Sequence, residues 1–148
     1  MAITTANPMI LISQGGAATI FTWIDAQTVI ATDTTAGLVG MSVLSQATLY
    51  LKVTTVSGTS PTLDVYVQKL LPDRATYQDI AHFAQSTTTG GQVMHMVTGG
   101  NKIEAQQTNA LAASTVNAVP FGSEWRISMV VAGTSPSFGL SLYMEGLS

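Results

Sequence analysis

The first residues to test for chemistry are two histidines, His82 and His95, which a hairpin centred between Thr88 and Thr89 would set directly opposite one another. Two imidazoles so placed could clip a metal ion. A zinc-type site needs further ligands, however, and the nearest carboxylate, Asp79, would fall farther along the strand, so the spacing favours structural or solvent-facing histidines over a metal centre. Facing imidazoles would also repel one another on protonation, weakening such a hairpin below about pH 6. The Gly pairs at 15–16, 90–91 and 99–100 suggest phosphate loops, but none is followed by Gly-Lys-Ser/Thr or opens a clear helix, which leaves turns. There is no Gly-x-Ser-x-Gly elbow, and two histidines among many serines single out no nucleophile and base. Asp73 and Arg74 follow Pro72 in Leu71-Pro72-Asp73-Arg74-Ala75, where turn chemistry with a weak surface ion pair is the expectation. No catalytic residue, cofactor or metal site is therefore assigned, and the expectation is a protein that is not an enzyme.

Composition points the same way. Only 9% of the 148 residues are charged, against about 25% in soluble domains, so hydroxyls and amides must wet most of the surface. The formal net charge is −3, and the five basic residues, Lys52, Lys69, Arg74, Lys102 and Arg126, are scattered singly. No phosphate-binding stripe results, which argues against nucleic acid as a partner. The chain has no cysteine, so neither disulfides nor thiolate metal sites are available. No basic n-region precedes the short apolar run Met9-Ile10-Leu11-Ile12, and no stretch reaches the roughly 18 apolar residues of a membrane-spanning helix. Neither a secretory signal nor a membrane partner is expected.

The elements that would hold any site are strands. Period-two stripes run through Leu49, Leu51 and Val53, through Leu63, Val65 and Val67, through Trp125, Ile127, Met129 and Val131, and through Phe138, Leu140 and Leu142. Shorter candidates lie at 18–24, 27–31 and 92–97; one stretch, 104–115, could be helical. An internal echo organises the map: Val56-Ser57-Gly58-Thr59-Ser60-Pro61-Thr62-Leu63 recurs as Val131-Ala132-Gly133-Thr134-Ser135-Pro136-Ser137-Phe138. Gly and Pro in each copy read as a turn joining two strands, giving two similar hairpins. The stripe before the first copy runs one residue out of phase with the stripe before the second. Either a bulge or burial of opposite faces would account for the slip.

The expected fold is all-β, a β-sandwich or jelly-roll-like module or a barrel, with residues 1–16 as an extended arm or short edge strand and 17–148 as one domain. Residues 99–123 make a long loop, poor in large apolar groups, and loops of that length usually serve a purpose. Apolar residues in an arm have little reason to be solvated. Met9, Ile10, Leu11 and Ile12, together with Phe21 and Trp23, are therefore the candidate contact residues. Trp125 lies on a stripe and is expected in the core.

The succession Gly58 to Gln68, then Leu71-Pro72-Asp73 with Tyr77-Gln78-Asp79-Ile80-Ala81-His82-Phe83, then Trp125-Arg126-Ile127 and Gly133 to Phe138, resembles small structural proteins of tailed bacteriophages, above all head decoration, or cement, proteins. The likeness covers about residues 48–146, and the 99–123 insertion departs from it. It implies a β module on the outer surface of the capsid, commonly a homotrimer, that stabilises the shell by bridging major capsid subunits. Three alternatives share parts of the pattern: a tail, baseplate or fibre-base protein, a carbohydrate-binding module, and a small outer-membrane barrel, which the missing signal and few aromatics disfavour.

Overall fold

The computed structural model describes residues 9–10, 18–98, 111–117 and 119–148. Two very long strands form its spine: β5 (Gln46–Leu70) and β9 (Glu124–Leu147), antiparallel from Gln46↔Leu147 to Lys69↔Trp125. Strands of globular domains usually run three to ten residues. Lengths of 25 and 24 residues are possible here because both strands bend at the same place and pass from one layer of the fold into the next.

The first layer contains the start of β5 and the end of β9, flanked by β7 (Gly90–Val97) and β2 (Ala18–Val29). The second contains the end of β5 and the start of β9. There β5 is flanked by β6 (Tyr77–His82), which carries β8 (Thr115–Val116). On the other side β9 meets the short β3 (Asp33–Thr34) and β4 (Leu38–Val39). β1 (Met9–Ile10) runs parallel to β4, so this part of the arm is the expected short edge strand. All other pairings are antiparallel, and the sheet is open among the described strands, which makes the all-β fold a layered one and not a closed barrel.

Alternation explains the layering. Leu49, Leu51, Leu140 and Leu142 from the first layer and Leu63, Val65, Val67, Trp125, Ile127 and Met129 from the second are buried in one continuous cluster, while the residues between them lie on the opposite phase, Ser141 there being covered by β2. The stripes expected from the sequence are thus the core. Trp125 meets Phe121 edge-on, with ring centroids 4.8 Å apart, and its indole N–H donates to the Phe121 carbonyl at 2.7 Å. A fully buried indole with its one donor satisfied has no polar debt to offset its burial. The run Thr32-Asp33-Thr34-Thr35 extends β3 with side chains: the Ile127 amide donates to the Thr35 hydroxyl at 3.0 Å and the Val131 amide to that of Thr32 at 3.0 Å.

The echo does not make two hairpins. Each copy lies within one long strand, and the two copies face each other, with Thr59 opposite Thr134 and Ser57↔Ser137 and Thr62↔Ala132 on either side. Gly58 and Gly133 have φ of 110° and 116°, and Ser60 and Ser135 have φ of 50° and 49°. Two left-handed residues one apart bend a strand sharply and shift its register without reversing it. The phase slip is a bulge: the ladder jumps between Val53 and Thr55, opposite Leu140 and Gly139.

The expected 82–95 hairpin is also absent, because β6 and β7 pair with opposite ends of β5 in different layers. The connection crosses between layers, held where Leu63 and Ser86 exchange backbone hydrogen bonds at 2.9 Å. His82 and His95 therefore never face one another, which removes the basis for a shared metal or mutual repulsion. Of the expected helical stretch, 104–110 lies outside the described residues, 111–114 leads through a turn into β8, and Thr115 is the first residue of that strand.

Candidate interaction surfaces

The outward phase of the second layer gathers much of the chain's scarce charge. His82 sits between two acceptors: Nε2 lies 3.0 Å from Asp64 Oδ1 and Nδ1 lies 2.8 Å from the Leu111 carbonyl. Its ring stacks on Tyr66 at 3.9 Å, and Gln85 donates to the other Asp64 oxygen at 2.8 Å. A neutral imidazole donates from one nitrogen at a time and the imidazolium from both. An Asp–His pair begins many hydrolytic sites, but here the second nitrogen meets a backbone carbonyl and not a hydroxyl to be activated. The arrangement ties residues 111–116 to β6.

Beside it, Arg126 donates to Gln68 at 2.7 Å, Gln68 donates to Asp79 at 2.7 Å, and the Arg126 guanidinium lies 3.8 Å over the ring of Tyr77. Tyr77 in turn donates to Glu124 at 2.8 Å. Burial, then the charges of Asp64 and Asp79, push the Tyr66 phenol above its ordinary range. Burial and the bond to Glu124 do the same for Tyr77. Every strong group on this face is spent on a neighbour within the chain.

A groove of about 310 Å³ separates the β5–β6 turn from residues 120–123, lined by Lys69, Leu71, Pro72, Arg74, Pro120 and Gly122. Of its two cations Lys69 is engaged, its Nζ donating to the Pro120 carbonyl at 2.8 Å, and burial lowers the Lys69 pKa. In the turn the Asp73 carboxylate accepts from the Ala75 and Thr76 amides and from the Thr76 hydroxyl. Turn chemistry is thus the role of Asp73. Among the described residues no group of three or more His, Asp or Glu is placed to hold a metal ion.

The outer face of the first layer is the opposite case. Tyr50 and Tyr143 are register partners with rings 6.1 Å apart and 21° from parallel. A side chain at Gly91 would meet the Tyr50 ring at 2.9 Å, so glycine there lets the ring lie over β7. Ile20, Val93 and Val97 on the flanking strands are 77%, 59% and 63% exposed, and Tyr50 is 38% exposed. Between Ile20 and the tyrosines runs a shallow groove of about 240 Å³ that also touches Thr48 and Glu145. His95 is on this face, hydrogen-bonded to the Thr48 hydroxyl at 2.9 Å.

The residues singled out as contacts divide. Met9 and Ile10 pair with Leu38 and Val39, and Leu11 and Ile12 lie outside the described residues. Phe21 is half-buried and meets Trp23 edge-on at 6.2 Å. Trp23, only 3% exposed, belongs to the core and not to a surface offered to partners. The strand alternation that buries Trp23 turns Ile20 and Thr22 outward. The tyrosine face escaped the sequence reading, although one signal was present: Tyr50 alternates with Leu49 and Leu51, and Tyr143 with Leu142 and Met144, which places both rings on the outward phase.

Compared with family models, curated proteins and solved structures, the chain matches none.

Proposed function

We infer that this chain is a virion structural protein that decorates the outer surface of a bacteriophage capsid and braces the shell by bridging major capsid subunits. The observation that carries the inference is the contrast between the two outer faces. One has its charged groups engaged within the chain, and the other presents exposed Ile20, Tyr50, Val93 and Val97 with few charges among them. Monomeric proteins seldom leave such faces bare, and contiguous apolar patches mark contact sites. β7 and β2 also end the first layer with edges that pair with no other described strand, and edges of this kind need a cover. A surface with 9% charged residues lowers repulsion among crowded copies. The likeness of residues 48–146 to head decoration proteins supports the location.

Bracing is mass action: a protein that binds only the assembled shell stabilises that state by RT ln(1 + [L]/Kd) per site. Many modest contacts then add up. The test is to add purified protein to undecorated heads and to tails, measure saturation of each, and heat the loaded heads. Saturable binding to heads with a higher disruption temperature supports the proposal. Binding to tails alone, or to neither, rejects it.

A second reading has one observation in its favour, the tyrosine pair on an open sheet face, because such rings can also stack on sugars. Glycan-array binding that Tyr50→Ala abolishes, with no binding to heads, would select it.

A further inference from the structure

We propose that the tyrosine face of the first layer pairs with the same face of a second copy of this chain about a two-fold axis, each Lys52 meeting the partner's Glu145. This rests on the reading of that face as an assembly surface and names its occupant.

The argument starts from register. Thr48↔Glu145, Tyr50↔Tyr143 and Lys52↔Ser141 are successive pairs of β5 and β9 on the phase opposite the core stripe, Ser141 being buried where the Ala26 amide donates to its hydroxyl. Lys52 therefore lies one step to one side of the tyrosines and Glu145 one step to the other, on the neighbouring strand. Four residues of strand separate them, roughly 13 Å at about 3.4 Å per residue, and neither has a side-chain partner among the described residues. Within one copy the two charges are held apart by the tyrosine pair.

A second copy brings them together. Take a two-fold axis lying in the face, passing between Tyr50 and Tyr143 at right angles to the line from Lys52 to Glu145. Rotation about it exchanges the two charged positions, so two reciprocal ion pairs form at the ends of a central tyrosine cluster. In a closed symmetric contact the same patch must complement itself in this way. Charge placement is the specific part of the fit, since the rest of the face is hydroxyl, amide and hydrocarbon apart from the His95 imidazole, which is bonded to Thr48. A face closed by its own copy leaves the β2 and β7 edges for contact with the shell, and it selects a two-fold pair where the phage resemblance implies a trimer.

Size sets the strength. Four strands at about 4.8 Å and about six residues at 3.4 Å give a footprint of roughly 400 Å² per copy. That is roughly 800 Å² in total, below the roughly 1,200–2,000 Å² of stable specific interfaces, so a weak, transient pair is expected, with a Kd of tens of micromolar or above.

The experiment is analytical ultracentrifugation of the full chain up to about 100 µM, with Lys52→Glu, Glu145→Lys and the double swap, each checked for an unchanged melting temperature. Either single swap creates two like-charge contacts per pair and should weaken dimerisation about tenfold or more. The double swap restores opposite charges and should recover association to within about threefold of wild type. A wild-type chain that stays monomeric, a trimer, single swaps without effect, or a double swap no better than the singles would each overturn the proposal. Head binding is measured separately: a monomer that decorates heads overturns the pairing alone, and a dimer that ignores heads and tails overturns the capsid reading alone.

Discussion

Thr59 and Thr134 face each other at the centre of the β5–β9 ladder, and the two Gly-Thr-Ser-Pro segments that contain them lie antiparallel across from one another, with a register shift on either side. A side chain at Gly58 would meet the Ser135 and Thr134 carbonyls at 2.6 and 2.9 Å. At Gly133 it would meet the Ser60 carbonyl at 2.8 Å and Pro61 at 2.9 Å. Each glycine makes room for the other copy's backbone.

Reciprocity predicts equal damage. Gly58→Ala and Gly133→Ala should each destabilise the fold by about 1–3 kcal/mol, since both force a left-handed φ on alanine as well as a backbone clash. Denaturant titration of the two variants checks this. A large loss at one site with none at the other would mean the corner is held by one copy only.

Thr35→Val tests the side-chain extension of β3. The substitution nearly conserves shape but removes the acceptor of the buried Ile127 amide, a loss of about 1–3 kcal/mol. Stability within a few tenths of wild type would show that the amide finds another acceptor.

His82→Phe separates stacking from hydrogen bonding at the polar clasp. The new ring can still lie on Tyr66, but Asp64 and the Leu111 carbonyl both lose the ring nitrogen that lies against them. The expected cost is about 1–3 kcal/mol. Amide hydrogen exchange should quicken over 111–117 while the β5–β9 ladder in the first layer keeps its protection.

Asp73 gives a pH dependence with a definite sign. Its carboxylate is held below the ordinary value of 3.8, first by the Thr76 hydroxyl and then by the Thr76 and Ala75 amides. A depressed folded pKa means stability that is present above the unfolded value and lost as pH falls through the folded one. Asp73→Ala should therefore melt below wild type near pH 7, and the gap should close as the pH drops below about 3.8. A gap of constant size down to about pH 2 would assign the effect to backbone conformation instead.

The core was legible because strand burial has period two. Leu49, Leu63, Trp125 and Leu140, with the alternate residues around them, are where the stripes put them. Chain direction at the echo was not legible, since a left-handed glycine serves a reversal and a bulge equally well, and only pairing with the distant copy decides between them. The His82–Asp64 contact and the Lys52–Glu145 placement depend on which strands are neighbours. That follows from register across the whole fold, and no local spacing encodes it.

The shared strands have a mechanical consequence. Because β5 and β9 cross from one layer into the other without a break, neither layer has a complete set of strands of its own, and a pull on one is carried into the other by covalent backbone in two places. The two halves should melt in a single transition and yield to force as one body.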